Sequence, residues 1–70
     1  MNWTRYVNAD RATWPPDVRV VLIATPTGSG WTFDVLDVRI TGHDALLVDD
    51  DGYAMPMAED EWWALPTPPK

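Results

Sequence analysis

The sequence predicts an all-β fold: a small antiparallel meander of three to five strands that is partly open. Short runs of β-branched and aromatic residues alternate with turn-forming Gly, Pro and Asp along most of the 70 residues. No window longer than about ten residues keeps a helical repeat without a breaker, apart from residues 3–12. That N-terminal piece is compatible with a strand or with a short helical turn.

The first strand is predicted at Val18–Ala24, a run that lacks helix-forming residues and is apolar on both faces. It follows Trp14-Pro15-Pro16-Asp17, an extended segment, because each proline fixes φ and cannot donate to a ladder. Composition predicts a turn over Thr25-Pro26-Thr27-Gly28-Ser29-Gly30. The chain should therefore reverse direction before the next aromatic run.

A second strand is predicted over residues 31–40, with a defect near its middle. Apolar residues alternate cleanly in each half, but their phase slips by one between Val35 and Leu36. A β-bulge absorbs a one-residue slip, so we expect one here. Trp31 and Phe33 share one strand face and are predicted to lie in the core, since aromatic residues supply much of the burial in a small domain.

The C-terminal half predicts a hairpin and a short final segment. Ala45–Val48 is apolar, and Asp49-Asp50-Asp51-Gly52 then offers an Asp-Gly turn. Residues 53–57 should form the strand that pairs with Ala45–Val48. Because Pro56 has no N–H, this strand is expected at a sheet edge or is expected to end at Pro56. After a Thr41–Asp44 turn and an acidic loop, the chain closes with Trp62-Trp63-Ala64-Leu65 and a proline-rich tail, residues 66–70.

Charge and length bound the classes of function. Seventy residues predict one domain, residues 1–70, with residues 1–13 as its N-terminal segment. Eleven acidic residues against five basic ones give a net charge of −6, which argues against direct binding to nucleic acid or anionic membranes. No cysteine is present, so disulfides and thiolate chemistry are excluded, and an intracellular location is expected.

The order of landmarks resembles a family of short phage and prophage domains of unknown function. A Trp-Pro-Pro segment at residue 14 precedes a Val-rich strand, and the chain ends in a Trp-x-x-Leu-Pro-x-x-Pro motif over residues 62–69. The matching stretch spans Trp14–Pro69, although Glu61-Trp62 replaces the Thr-His of the family motif. The resemblance implies a bacteriophage or mobile-element origin and assigns no catalytic residue.

No catalytic, metal or cofactor site is predicted. A calcium loop beginning at Asp49 would need oxygen ligands at alternating positions, and Tyr53, Met55 and Met57 occupy those places. His43 is the single histidine and lies in a turn, without a nucleophile at recognisable spacing. The Gly28-Ser29-Gly30 segment lacks the lysine and helix of a phosphate loop. A non-enzymatic protein is therefore expected.

The predicted binding residues combine acids with aromatic anchors. Trp62 and Trp63 are adjacent, so on an extended segment they point to opposite faces, one towards the core and one towards solvent or a partner. Burial of both against the proline-rich tail is the alternative. The partner-binding residues expected from charge and aromatic content are Asp49, Asp50, Asp51, Tyr53, Glu59, Asp60, Glu61, Trp62 and Trp63.

The function predicted from these features is an acidic interaction module. It would occupy a basic, nucleic-acid-binding surface of a host protein as a nucleic-acid mimic, since acids attract Arg and Lys clusters and tryptophans anchor interfaces. Together with the phage resemblance, this predicts an anti-CRISPR-like inhibitor in the host cytoplasm. The alternative is a structural phage domain that forms a homo-oligomer through the two-sided apolar strand Val18–Ala24.

Overall fold

A computed structural model describes residues 2–66 and confirms the all-β class. Six antiparallel strands form one open sheet, one strand more than the upper end of the predicted range. Apart from a single 3-10 turn at Arg11–Thr13, the described residues contain no helix. The strands are β1 (Thr4–Arg5), β2 (Val21–Thr27), β3 (Gly30–Ile40), β4 (Ala45–Val48), β5 (Ala54–Pro56) and β6 (Trp62–Ala64).

The sheet has the strand order β1-β6-β2-β3-β4-β5. Strands β2 to β5 form the predicted meander, whereas β6 returns across the sheet and inserts between β1 and β2. Ile23 of β2 therefore pairs with Trp63 on one side and with Asp34 on the other. A central position satisfies the backbone of this apolar strand on both edges, as buried strands require.

Strand β2 begins and ends later than the sequence predicts. It starts at Val21 rather than Val18, and it continues through Pro26 to Thr27, so that only Gly28 and Ser29 form the turn. β6 covers β2 only from Leu22 to Ala24. Pro26 therefore lies where β2 has one neighbouring strand, which is where a residue without an N–H is tolerated.

The predicted bulge in β3 is wrong. β3 pairs residue for residue with β2 up to Leu36, and with β4 from Asp37 onwards. The apolar phase changes because the two halves of β3 present apolar side chains to different faces. Trp31 and Phe33 are 50% and 67% exposed, so their predicted burial is also wrong. Leu36 instead packs against the core.

The core lies on one side of the sheet, where the N-terminal segment crosses it. Tyr6 is fully buried, and Trp14 packs against the core from the same segment, with ring centroids 6.2 Å apart. Burial of such rings excludes water from the apolar strand residues below. The buried cluster consists of Tyr6, Val21, Ile23, Val38, Ala45, Leu47 and Met57.

Two indole groups fix this N-terminal segment in place. Trp63 Nε1 donates to the carbonyl of Thr13 at 2.7 Å, and Trp14 Nε1 donates to the carbonyl of Asn8 at 3.0 Å. The Arg11 guanidinium lies 4.6 Å from the centre of the Trp14 ring and donates to the carbonyl of Gly42. Loop carbonyls that β-pairing leaves unsatisfied thus find side-chain donors, as partly buried backbone requires.

Candidate functional site: two clefts on opposite faces

The two faces of the sheet differ in what covers them. Successive side chains of β2 point to opposite sides, so Val21 and Ile23 face the core while Leu22 and Ala24 face away from it. We call these the inner face and the outer face. Each face carries a cleft with distinct chemistry.

The inner face carries an acidic cleft of about 490 Å³ beside the core. Its apolar lining includes Leu36 and Leu47, and Tyr53 and Met55 stand at its edge with 67% and 58% of their surfaces exposed. Three carboxylates contribute to its wall, from β3, the β4–β5 turn and the β6 approach. The lining residues are Thr25, Asp34, Leu36, Leu47, Asp49, Tyr53, Met55, Pro56, Ala58 and Glu61.

Asp49 shapes the turn that borders this cleft. Its Oδ1 accepts hydrogen bonds from the backbone N–H groups of Asp51, at 3.0 Å, and Tyr53, at 2.9 Å. Gly52 has φ of 81°, a left-handed conformation that favours glycine, so the predicted Asp-Gly turn is confirmed. Within residues 2–66, no three His, Asp or Glu side chains lie close enough together to hold a metal ion.

The other predicted acids mostly have partners inside the protein. Glu61 accepts hydrogen bonds from the Thr25 hydroxyl and the Ala58 N–H, and Glu59 accepts one from the Asn8 N–H. Asp60, at φ of 74°, forms a salt bridge with Arg5. These bonds position the carboxylates and close the loop before β6. By contrast, the side chains of Asp50 and Asp51 accept no hydrogen bond from any described residue.

The outer face carries an aromatic cleft of about 300 Å³, lined by Trp3, Ala24, Trp31, Phe33 and Trp62. Ala24 pairs with Trp62 on one side and with Phe33 on the other, so one methyl side chain lies between two large rings. The Trp3 ring tilts against Phe33 at a centroid distance of 6.2 Å. A small residue between aromatic rings is what produces the depression.

The indole N–H groups of the five tryptophans divide between the two faces. Trp14 and Trp63 donate to backbone carbonyls around the core. Trp3, Trp31 and Trp62 donate to no described residue, and all three line the aromatic cleft. Trp3 and Trp62 are half-buried, and no buried side-chain nitrogen or oxygen among the described residues lacks a partner.

The structure distributes the predicted binding residues over several places. Asp49, Tyr53 and Glu61 come together in the acidic cleft, while Trp62 lines the aromatic cleft. Trp63 packs against the core, so the expected opposite orientation of the two adjacent tryptophans is confirmed. The predicted proline-rich tail lies outside the described residues except for Pro66.

Sequence reasoning missed Asp34 and Met55 in the acidic cleft, and Trp3, Trp31 and Phe33 in the aromatic cleft. The phase slip in β3 was the available signal for Trp31 and Phe33, because two apolar phases on one straight strand place apolar residues on both faces. Asp34 is on the inner face for the same reason, opposite Ile23 of β2. No local pattern marks Trp3, whose place follows from the long-range pairing of β1 with β6.

Comparison of the chain with protein-family models, curated proteins and solved structures finds no match. The two clefts are therefore interpreted from their own chemistry. None of the helical structure in residues 2–66 is long and apolar enough to cross a membrane.

Proposed function

We propose that this protein is a non-enzymatic interaction module whose acidic cleft receives basic side chains of a partner protein. The observation that carries the proposal is the convergence of Asp34, Asp49 and Glu61 around an apolar floor, with Tyr53 at the rim. An arginine or lysine has the matching chemistry, because its aliphatic stem packs on apolar surface while its charged head remains near solvent.

Each part of the cleft has a separate role in this mechanism. Leu36 and Leu47 contact the stem of the incoming side chain, and Asp34 attracts its charged head. Tyr53 offers an exposed ring face, on which guanidinium groups stack favourably. The net charge of −6 adds long-range attraction, which accelerates association with a basic surface at low ionic strength.

The partner we propose is a nucleic-acid-binding protein of a host cell, contacted through the Arg and Lys residues that hold its nucleic acid. In this form the protein is a nucleic-acid mimic that inhibits its target in the cytoplasm without catalysis. The resemblance to short phage domains supports this choice of target, and an anti-CRISPR-like inhibitor is its most specific version. Asp50 and Asp51, at the exposed tip of the β4–β5 turn, extend the acidic surface.

The test compares two variants that lose the same charge from the same strand. Asp34→Asn changes the acidic cleft, whereas Asp37→Asn changes an exposed position whose side chain points to the outer face. Binding of an arginine-rich peptide is measured at roughly 0.1 M and roughly 1 M salt, between which the Debye length falls from about 10 Å to about 3 Å. We expect Asp34→Asn to weaken binding at least threefold more than Asp37→Asn.

Equal weakening by the two variants would show that only net charge matters and that the cleft has no role. A variant at Tyr53 further separates an effect of net charge from a specific role of the cleft. Tyr53→Ala removes an exposed ring without changing charge, so it should weaken peptide binding if the ring stacks on guanidinium. Peptide binding that is as strong at high salt as at low salt, and that neither Asp34→Asn nor Tyr53→Ala weakens, would contradict the mechanism.

Self-assembly is the second candidate, and the exposed outer face favours it. Phe33, Val35 and Trp31 leave 67%, 60% and 50% of their surfaces exposed there, next to the central strand β2. Sedimentation over a wide concentration range tests it directly. A mass that doubles with concentration, and returns to one chain after Phe33→Ser, would support a homo-oligomer.

A further inference from the structure

We propose that the aromatic cleft binds a proline-rich segment of a partner protein in the extended polyproline II conformation. This surface is separate from the acidic cleft, since the two lie on opposite faces of the sheet. The inference rests on a chemical asymmetry: the side chains lining the aromatic cleft offer hydrogen-bond donors and no acceptors.

The donors are the indole N–H groups of Trp3, Trp31 and Trp62. None of them bonds to another described residue, although the indoles of Trp14 and Trp63 both do. The remaining lining residues, Ala24 and Phe33, carry no polar side-chain atom. A ligand that fills the cleft must therefore supply acceptors, and any donor it buries there would lack a side-chain partner.

A proline-rich backbone meets both conditions. Proline has a carbonyl but no N–H, and the polyproline II helix leaves its carbonyls without internal partners. Its rings pack on aromatic side chains, and the preformed helix loses little conformational entropy on binding. Each indole N–H can donate to a peptide carbonyl, so the complex buries no hydrogen-bonding group without a partner.

Other occupants match this surface less well. A second copy of the chain would place the same donors opposite one another, and an unpaired buried donor is unfavourable by about 1–3 kcal/mol. A carbohydrate would stack on the rings, but its hydroxyl donors would find no side-chain acceptor in the cleft. Single-stranded nucleic acid also stacks on tryptophan, yet the net charge of −6 repels its phosphates.

The negative charge of the protein favours proline-rich segments that carry basic residues. The Arg5–Asp60 pair lies at the β1 and β6 side of the cleft and cancels locally, while the protein as a whole is acidic. A segment with flanking Lys or Arg is attracted by the long-range field and repelled by no charge inside the cleft. We therefore infer a basic, proline-rich partner segment.

The experiment titrates the uniformly ¹⁵N-labelled full chain with a synthetic proline-rich peptide that contains two lysines. The five indole N–H resonances report on the two faces separately. We expect the signals of Trp3, Trp31 and Trp62 to shift with one saturation curve, while those of Trp14 and Trp63 stay in place. A peptide with each proline replaced by alanine, at equal charge, should bind at least tenfold more weakly.

Three variants test the roles of the aromatic ring and of the indole N–H. Phe33 lines the aromatic cleft, whereas Val20 is 50% exposed and lines neither cleft, so Phe33→Ala should weaken peptide binding at least tenfold and Val20→Ala should not. Trp62→Phe keeps an aromatic ring and removes only the donor. The loss of one hydrogen bond then predicts a decrease of about three- to tenfold in affinity.

Several outcomes would overturn the proposal. These are equal binding of the alanine peptide, shifts of the core indoles instead of the cleft indoles, or saturation of the cleft by an oligosaccharide but not by the peptide. Dimerisation through the cleft would assign it to a second copy. If Pro68→Ala and Pro69→Ala together move the three cleft indole signals in the free protein, the occupant is the chain's own tail rather than a partner.

Discussion

Replacing Trp63 by phenylalanine tests how the N-terminal segment is held on the inner face. The substitution keeps an aromatic ring in β6 and deletes the Nε1–H that donates to the Thr13 carbonyl at 2.7 Å. That carbonyl lies at the end of the 3-10 turn, which carries the loop across the core. The deletion therefore removes a contact between residues 50 positions apart in sequence.

The expected loss of stability is about 2 kcal/mol. Leaving a partly buried carbonyl without its donor is unfavourable by roughly 1–3 kcal/mol, and the smaller ring also leaves space beside the core. A 70-residue domain has a free energy of unfolding of roughly 4–10 kcal/mol. The variant should therefore lose a large part of its stability, and its Tm should fall by roughly 8–16 °C.

Trp62 provides the matched control, because the same substitution one residue earlier changes the outer face. Its N–H has no partner among the described residues, so Trp62→Phe should decrease stability by less than about 1 kcal/mol. Urea unfolding followed by far-ultraviolet circular dichroism measures both variants without relying on tryptophan emission. Equal losses, or a larger loss for Trp62→Phe, would refute the assignment of Trp63 to the core and Trp62 to the surface.

The β4–β5 turn supports two further predictions, both measured by urea unfolding. Asp49→Ala removes the acceptor of two backbone N–H groups and should decrease the free energy of unfolding by about 1 kcal/mol. Asp50→Ala should change it by less than about 0.5 kcal/mol. Equal effects would show that the Asp49 carboxylate does not stabilise the turn. Gly52→Ala should be destabilising by about 1 kcal/mol because φ is 81°, although a Cβ would meet no atom within 4 Å. Gly42→Ala is the control, with equal space and no positive φ, and a comparable loss there would exclude backbone strain as the cause.

The parts of the fold that the sequence predicts well are those set by neighbouring residues. Ala45–Val48 is a strand with the predicted bounds, and the Asp-Gly turn follows it, because alternation and turn chemistry both act over a few residues. Pro56 ends an edge strand as expected. The insertion of β6 between β1 and β2 depends on pairing across some 40 residues, and no local pattern in Trp62–Ala64 specifies it.

The candidate site shows the same limit. Asp49 and Tyr53 are close in sequence and were predicted together, but Asp34 joins them only through the pairing of β3 with its neighbours. Acidic composition also gave no means to separate carboxylates that hold the fold from those that face solvent. Glu61, with hydrogen bonds to Thr25 and Ala58, positions the loop as well as contributing charge to the cleft.

Stabilisation of the fold does not explain why Phe33 and its neighbours are exposed on the outer face. Aromatic side chains bury about 150–250 Å² when fully enclosed, so the exposed parts of Trp31, Phe33 and Val35 together leave roughly 300–400 Å² of apolar surface in one patch. Patches of about this size are the largest on ordinary monomers and are often functional. If β3 served only to form the core, the alternation that turns Leu36 and Val38 towards the core would hold for the apolar residues along the whole strand. The change of phase at Val35 instead lets the second half of β3 close the core while its first half presents an exposed apolar surface.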